Sequence, residues 1–316
     1  MTSRSKIFKA DALLLILAMI WGSGFIAQKL PMELIGPMTF VTIRLLLGAL
    51  FLLPFLFIRS VPANPEFPGW RKLLPGLLGV IVVVFLGTWL QQVGLITTEA
   101  GTAGFITGLY VIFTPILGLF IGYRVRGLTW MATIIAVFGL FMLTVAGRPT
   151  INIGDLLILL SAIAWAAQIL FVGWLAPKID AILLTVIQLA GAGLLCLIIT
   201  PFFEPLSLEN ILQCKGSLLY SGLIASGLAF LLQAAAQQDA PPAHAAILIS
   251  LESVFAVLAG WLMLNEELTP LQFTGCGIMF FAIILAQIKP PRAAFGTTGS
   301  TIEGVDCSQK QPSDVQ

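Results

Sequence analysis

Two ionisable side chains, Arg44 and Glu252, lie inside long apolar stretches of this sequence. Arg44 interrupts PMTFVTIRLLLGALFLLP, and Glu252 interrupts AAILISLESVFAVLAG. A charge costs about 3 kcal/mol at the centre of a membrane-spanning helix, so such a residue usually has a functional or a paired role. A guanidinium group can bind a carboxylate, whereas a carboxyl group can take up a proton or bind an amine. A zwitterion such as an amino acid would satisfy both residues.

Each of these two residues also has a structural interpretation. Arg44 lies about seven residues from the outer end of its predicted span. Its functional role could be to bind a substrate carboxylate or to organise an outer gate, and its structural role could be to cap helix-end carbonyls or to extend toward the interface. Glu252 lies about eight residues into its span and could be a neutral acid that is hydrogen-bonded to a neighbouring helix. We favour the functional interpretation for Glu252 and leave both open for Arg44.

Several uncharged polar and aromatic residues, among them Thr107, are predicted to lie at a depth in the membrane similar to that of Glu252. Amides, hydroxyls and rings can replace water around a solute without holding it as tightly as a charge would. Trp and Tyr also form interfacial belts and Gln can join helices, but Trp21 and Trp165 lie too deep for a belt. The predicted substrate-binding residues are Trp21, Arg44, Gln91, Tyr110, Trp165, Gln168, Gln233 and Glu252.

Pro115 interrupts another apolar stretch. A proline inside a helix removes one backbone donor, which leaves the carbonyl of Val111 without its usual partner. This pattern predicts a hinge or a polar notch at Pro115.

The composition indicates that helices in a lipid bilayer position these residues. The 316 residues are 58% hydrophobic and 10% charged, whereas soluble domains are about 25% charged. About twenty apolar residues are needed to cross the hydrocarbon core as a helix. Ten predicted spans meet this requirement, at residues 10–29, 37–58, 72–94, 101–122, 128–146, 154–174, 182–202, 216–237, 243–264 and 270–288.

The distribution of basic residues predicts the orientation. With the N-terminus inside, the inner segments contain twelve Lys and Arg residues and the outer segments contain three, namely Lys29, Arg148 and Lys215. Because basic residues accumulate in cytoplasmic loops, both termini are predicted to be cytoplasmic, with residues 1–9 as an N-terminal segment. Residues 289–316 are too polar to form a core and are predicted to be a disordered tail. His244, the only histidine, opens the ninth span and is predicted to be an interface residue.

The sequence contains an internal repeat. An offset of 144 residues aligns DALLLILAMIW (11–21) with DLLILLSAIAW (155–165), and it aligns Arg44 with Gln188. An offset of 142 residues aligns Gln91 with Gln233 and Tyr110 with Glu252. Because five is an odd number of spans, the second unit would enter the membrane from the opposite side. We therefore predict an all-α membrane protein of ten transmembrane helices, arranged as two inverted five-helix repeats at residues 10–146 and 154–288.

Inverted repeats are common in secondary transporters, whose substrates bind near mid-membrane between the repeats. Enzyme classes with a local signature are disfavoured, since the sequence contains no HExxH, GxxxxGK[ST] or GxSxG motif and no clustered metal ligands. No cofactor is predicted. A net charge of +1 gives no indication of nucleic-acid binding, so the predicted partners are a small-molecule substrate and the lipid bilayer.

Several segments resemble the EamA-domain branch of the drug/metabolite transporter superfamily. These are WGSGF (21–25), Arg44, GFITGLY (104–110) leading to Pro115, and LESVFAVLAGWLMLNE (251–266), in which Ser253 stands where many relatives carry a proline. The resemblance extends from about Ala10 to Ile288. It implies ten helices in two inverted repeats, and the export or exchange of metabolites such as amino acids.

We therefore expect a secondary transporter in the bacterial cytoplasmic membrane that exports small metabolites, such as amino acids or related zwitterions, by alternating access. A multidrug or hydrophobic-cation exporter is the alternative, because Glu252 and the tryptophans could form an anionic aromatic pocket. A membrane scaffold or enzyme is the third possibility.

Overall fold

The computed structural model describes residues 3–58, 67–123, 125, 127–144, 152–264 and 269–287, and the regular structure in these ranges is helical. The first half contains α1 (Ser3–Lys29), α2 (Pro37–Ile58), α3 (Trp70–Thr97), α4 (Ala100–Gly108), α5 (Tyr110–Phe120) and α6 (Gly127–Thr144). The second half contains α7 (Ile153–Leu175), α8 (Ala181–Phe203), α9 (Leu208–Gln213), α10 (Lys215–Leu219), α11 (Ala229–Ala236), α12 (Pro242–Ile249), α13 (Glu252–Leu264) and α14 (Pro270–Gln287). The predicted tail at 289–316 lies outside the described residues.

Within the described ranges, eight helical segments are long and apolar enough to cross a membrane. They are Ser5–Glu33, Pro37–Ile58, Trp70–Thr97, Ala100–Phe120, Ile153–Leu175, Ala181–Phe203, Lys215–Ala236 and Pro242–Ala259. The predicted spans at 128–146 and 270–288 correspond to the shorter apolar helices Gly127–Met142 and Phe273–Leu285. The chain is thus a multi-pass helical membrane protein, and a total of ten spans remains a prediction.

Polar and acidic side chains cap the starts of several helices. The Asn152 side chain accepts a hydrogen bond from the Asp155 backbone N–H, and the Asp155 carboxylate accepts one from the Asn152 backbone N–H, which forms a capping box for α7. Asp180 caps α8. The Glu204 carboxylate accepts hydrogen bonds from the backbone N–H groups of Met38 and Thr39, each at 2.8 Å, although it follows a different helix. Unsatisfied N–H groups at these helix starts are thereby paired.

Two membrane segments are interrupted at corresponding positions. Between α4 and α5, the Leu109 N–H donates to Ile106 O at 3.2 Å, which is a three-residue rather than a four-residue step. Between α12 and α13, the Leu251 N–H donates to Leu248 O at 3.2 Å in the same way. Leu109 and Leu251 are 142 residues apart, which is the offset found in the sequence. The interruptions bring Tyr110 and Glu252 to the first positions of α5 and α13.

A π-helical stretch, Tyr220–Leu228, connects α10 to α11 within one membrane segment. It packs closely on α2, because a Cβ atom added to Gly48 would lie 2.9 Å from both Gly222 O and Gly227 N. The wider turn of a π-helix changes which backbone carbonyls are paired within the helix, and such stretches are frequent at functional sites.

Antiparallel packing of α3 against α7 places aromatic rings beside glycines. A Cβ atom at Gly87 would lie 3.1–3.4 Å from the ring of Trp165, and Gly76 faces the ring of Trp174 in the same way further along the pair. The two bulky rings fit between the helices because the facing positions on α3 have no side chain.

Gly22 in α1 is needed for the close contact with α13. A Cβ atom at this position would lie 2.5 Å from Glu252 O, 2.6 Å from Phe255 Cβ and 2.9 Å from Ala256 N. We expect Gly22→Ala to lower the free energy of unfolding by about 1–3 kcal/mol through overpacking, measured as a lower Tm in detergent.

Gly24→Ala is the matched control for this substitution. Its nearest neighbours would be Ala225 Cβ at 3.7 Å and Gln28 Nε2 at 3.8 Å, so its Tm should be unchanged or raised, because alanine favours the helix by about 1 kcal/mol. Equal Tm values for the two variants would contradict the packing argument.

Candidate functional site

Three aromatic rings meet at the centre of the helix bundle. The ring centroids of Trp21 and Trp165 are 6.3 Å apart, and the Phe230 ring lies 5.3 Å from Trp21 and 6.0 Å from Trp165. Trp21 Nε1 donates to Ala225 O in the π-helical stretch at 2.8 Å, whereas the buried Trp165 Nε1 has no hydrogen-bond partner. One ring is thus fixed by the backbone, and the other retains an unused donor.

Arg44 is 5% exposed and lies on α2 at this level of the bundle. Its Nη1 donates to Gln28 Oε1 at 3.0 Å, and its Nε has no partner. Within the described ranges, no carboxylate lies within 4 Å of the guanidinium. An amide oxygen only partly offsets the desolvation of a buried cation, so the arrangement is suited to binding an anionic group.

Glu252 is 2% exposed, and its Oε1 has no hydrogen-bond partner. The Tyr110 hydroxyl is near enough to interact electrostatically with the carboxyl group, but Tyr110 Oη also completes no hydrogen bond. The neighbouring Ser253 is hydrogen-bonded to α4, since its Oγ donates to Gly104 O at 2.7 Å. Glu252 therefore has hydrogen-bonding capacity left for a bound molecule.

Buried amide groups complete the site. Gln91 Nε2 donates to Thr107 Oγ1 at 3.0 Å. Gln168 Nε2 donates to Gln233 Oε1 at 3.0 Å and to Gln188 Oε1 at 3.2 Å, and Gln233 Nε2 donates back to Gln168 Oε1 at 2.9 Å. Gln188, which aligns with Arg44, thus belongs to a neutral amide network where the first half has a cation.

One cavity adjoins most of these side chains. Its lining residues are Trp21, Phe25, Gln28, Arg44, Gln91, Thr107, Tyr110, Trp165, Gln168, Ile169, Ala225, Phe230 and Glu252. Seven of the eight residues predicted to bind substrate are among them. Gln233 is not, but it exchanges hydrogen bonds with the lining residue Gln168.

Sequence reasoning did not single out several lining residues. Phe25 and Ile169 follow Trp21 and Trp165 by four residues, so each lies one turn further along the same helix face. This spacing, together with the offset of 144, could have identified them. No comparable signal identifies Phe230, and Gln28 becomes conspicuous only as the partner of Arg44.

Two further sequence predictions concern Pro115 and His244. Pro115 lies inside α5, and the helix interruption is at Leu109, six residues earlier, so a hinge at Pro115 remains a prediction. His244 is 2% exposed, and its Nε2 lies 2.7 Å from Asp11 Oδ1 at the start of α1. It is therefore packed between helices, and its position at the membrane interface remains a prediction.

Within the described part of the chain, no group of three or more His, Cys, Asp or Glu side chains is arranged to hold a metal ion. The polar groups of the cavity are a guanidinium, a carboxyl, amides and hydroxyls, and these suit the binding of an organic solute.

Comparisons with known proteins agree with this architecture. The EamA-like transporter family model matches residues 8–145 and 152–287. An uncharacterized transporter of Archaeoglobus fulgidus is 31% identical over 286 residues, which cover 89% of this chain and 86% of the relative. The uncharacterized inner membrane transporter YedA of Escherichia coli is 26% identical, with 87% of this chain and 89% of the relative covered.

A crystal structure of another protein has the same fold, with a TM-score of 0.69, 14% sequence identity, and coverage of 88% of this chain and 98% of the other. The family model accounts for nearly all of the residues that form the helices and the cavity. The chain therefore belongs to the EamA-like transporter family, within the drug/metabolite transporter superfamily, and is a multi-pass membrane transporter.

Proposed function

We propose that this protein is a secondary transporter that exports small zwitterionic metabolites, such as amino acids, across the cytoplasmic membrane by alternating access. The observation that carries the proposal is one cavity lined by two buried side chains, the incompletely paired guanidinium of Arg44 and the incompletely paired carboxyl of Glu252. A substrate carboxylate would bind at Arg44 and a substrate amine at Glu252. The amides and hydroxyls between them would replace water without holding the solute too tightly.

A hydrophobic-cation exporter is the second candidate. The ring cluster of Trp21, Trp165 and Phe230 supports it, since aromatic faces attract organic cations and Glu252 would add a negative charge. The buried Arg44 guanidinium argues against it, because a second cation in the same cavity would be repelled.

Alternating access by two inverted repeats is supported by three features. The same family model matches the two halves of the chain separately. The helix interruptions at Leu109 and Leu251 are related by the offset of 142 residues, and interrupted helices commonly form transporter sites.

The third feature is a contact near the start of the first helix of each half. Asp11 lies 2.7 Å from His244 of the second half, and Asp155 accepts a hydrogen bond of 2.7 Å from Thr98 of the first half. Asp11 and Asp155 are related by the offset of 144. In the proposed inverted arrangement these contacts lie at opposite membrane faces, where each would have to break when its own face opens.

The topology can be tested with reporter fusions. We expect a fusion at Asn64 to report the cytoplasm and a fusion at Asn210 to report the outside, since the basic-residue distribution predicts ten spans with both termini inside. Activity of both reporters on the same side would contradict the inverted repeat.

The substrate class can be tested by counterflow in proteoliposomes. Inhibition of amino-acid exchange would be compared for an amino acid, the corresponding amine without a carboxylate and the corresponding acid without an amine. We expect only the amino acid to compete strongly, because it alone satisfies both charges. Strong competition by the amine alone would favour the hydrophobic-cation exporter.

A further inference from the structure

A second, apolar cavity lies on the outer face of the bundle between α3, α5 and α7. Its lining residues are Pro75, Gly76, Leu117, Phe120, Ile121, Ala167, Leu170, Phe171 and Trp174. We refer to it as the lateral groove. Phe120 and Ile121 are exposed, so in a membrane the groove faces the lipid.

The groove has the dimensions of a lipid chain site. From Ala167 to Trp174 it follows α7 for about 10 Å by helix rise. One leaflet of the hydrocarbon core is about 15 Å thick, half of the full core. The groove therefore extends over about two-thirds of a leaflet.

Basic side chains lie at one end of the groove. Lys178 Nζ lies over the ring of Trp174, 3.5 Å from its centroid. In the antiparallel pair of α3 and α7, Gly76 faces Trp174. Lys72 precedes Gly76 by one turn of α3, and Lys178 lies four residues after Trp174, in the turn that follows the end of α7 at Leu175. Both lysines therefore lie beyond the same end of the groove.

This end of the groove has the chemistry of a headgroup site. Lys72 is exposed and lies on the face of α3 that carries Gly76. Lys178 is partly buried, and this burial lowers the pKa of its ammonium group to about 8. Tryptophan is common where acyl chains meet headgroups, and basic pockets between helices bind anionic headgroups.

We propose that the lateral groove binds one anionic phospholipid, with an acyl chain along α7 and the headgroup phosphate between Lys72 and Lys178. In the orientation proposed above, this lipid belongs to the cytoplasmic leaflet. Since the groove is formed by α3 and α5 of the first half and α7 of the second, the lipid contacts both halves of the chain.

Native mass spectrometry of the full chain in detergent tests this proposal without a transport assay. The probes are phosphatidylglycerol and phosphatidylcholine with identical acyl chains. A lysine near an anionic lipid surface contributes about fivefold to binding, so two lysines should favour phosphatidylglycerol about 25-fold.

Two variants separate the headgroup from the chain. We expect the double variant Lys72→Gln, Lys178→Gln to lose the preference for phosphatidylglycerol, and Ala167→Phe, which fills the groove, to lose both lipids. Lys215→Gln, an exposed lysine that opens α10, should behave as the wild type.

Equal retention of both lipids by the wild type would overturn the proposal, and so would a persistent preference in the double lysine variant. Detection of a dimer without bound lipid would also overturn the proposal, because a second copy of the chain would then occupy the groove. All of these outcomes are independent of whether the protein transports amino acids.

Discussion

Replacing Glu252 with glutamine is expected to weaken substrate binding about 10- to 100-fold at every pH, because the substitution keeps the side-chain size but removes a buried charged partner for a substrate amine. The carboxyl group is 2% exposed, and its Oε1 has no partner within the protein. In the described part of the cavity, Arg44 is the only other residue that commonly carries a charge, so Glu252 alone can attract a cation there.

The measurement is amino-acid counterflow in proteoliposomes from pH 6 to pH 9 for the wild type and Glu252→Gln. Glu209→Gln, at an exposed position in α9, is the matched control and should retain full activity. Size-exclusion chromatography would verify folding of each variant.

Two other results would require different roles for Glu252. If this residue takes up a proton during the transport cycle, the glutamine variant should retain substrate exchange and lose only the pH dependence of transport. Unchanged transport by the Glu252→Gln variant at every pH would mean that Glu252 only packs between helices. The substrate site would then have to lie around Arg44 and the tryptophans.

Replacing Arg44 with glutamine is expected to reduce the transport of carboxylate-bearing substrates by a similar factor, about 10- to 100-fold. Its Nε has no partner, and Gln28 is the only side chain that accepts from Nη1 in the described structure. The substitution installs the side chain found at the aligned position Gln188. Arg44→Lys should recover part of the activity, because it restores the charge without the planar fork of donors.

Thermal unfolding distinguishes this functional role from a structural one. A buried cation without a carboxylate partner adds little stability, so Arg44→Gln should leave Tm unchanged or raise it while transport falls. A clear drop in Tm with unchanged substrate selectivity would instead identify Arg44 as a structural residue. Arg71→Gln, exposed at the start of α3, controls for the loss of a surface charge.

Together the two substitutions test whether Glu252 binds the amine end and Arg44 the carboxylate end of one substrate. A carboxylate-free amine should be affected more by Glu252→Gln, and an amine-free acid more by Arg44→Gln. If both variants weaken both probes equally, the two residues would not bind separate ends of one substrate.

The sequence by itself determined the approximate helix bounds and the deep polar residues. The span predicted at 37–58 coincides with α2, and the span predicted at 154–174 differs from α7 by one residue at each end. This accuracy follows from the fixed thickness of the hydrocarbon core, which sets the length of an apolar helix. The cost of placing a charge in that core likewise marks Arg44 and Glu252 in the sequence itself.

The helix interruptions and the π-helical stretch were not predictable in the same way. Leu109 and Leu251 are neither proline nor glycine, and the only predicted hinge was Pro115. Nothing in the local sequence requires the three-residue hydrogen-bonding steps there. They accompany contacts between distant segments, such as the hydrogen bond from Ser253 Oγ to Gly104 O.

Only the tertiary structure decided which side of each helix faces the cavity. In a soluble protein, the apolar face of a helix indicates the core. In a membrane protein the lipid-facing surface is apolar as well, so hydropathy does not distinguish Phe230, which lines the cavity, from Phe120, which lines the lateral groove. Helix rotation is fixed by close contacts between helices, such as that of Gly22 with the α13 backbone, which joins residues more than two hundred positions apart in the chain.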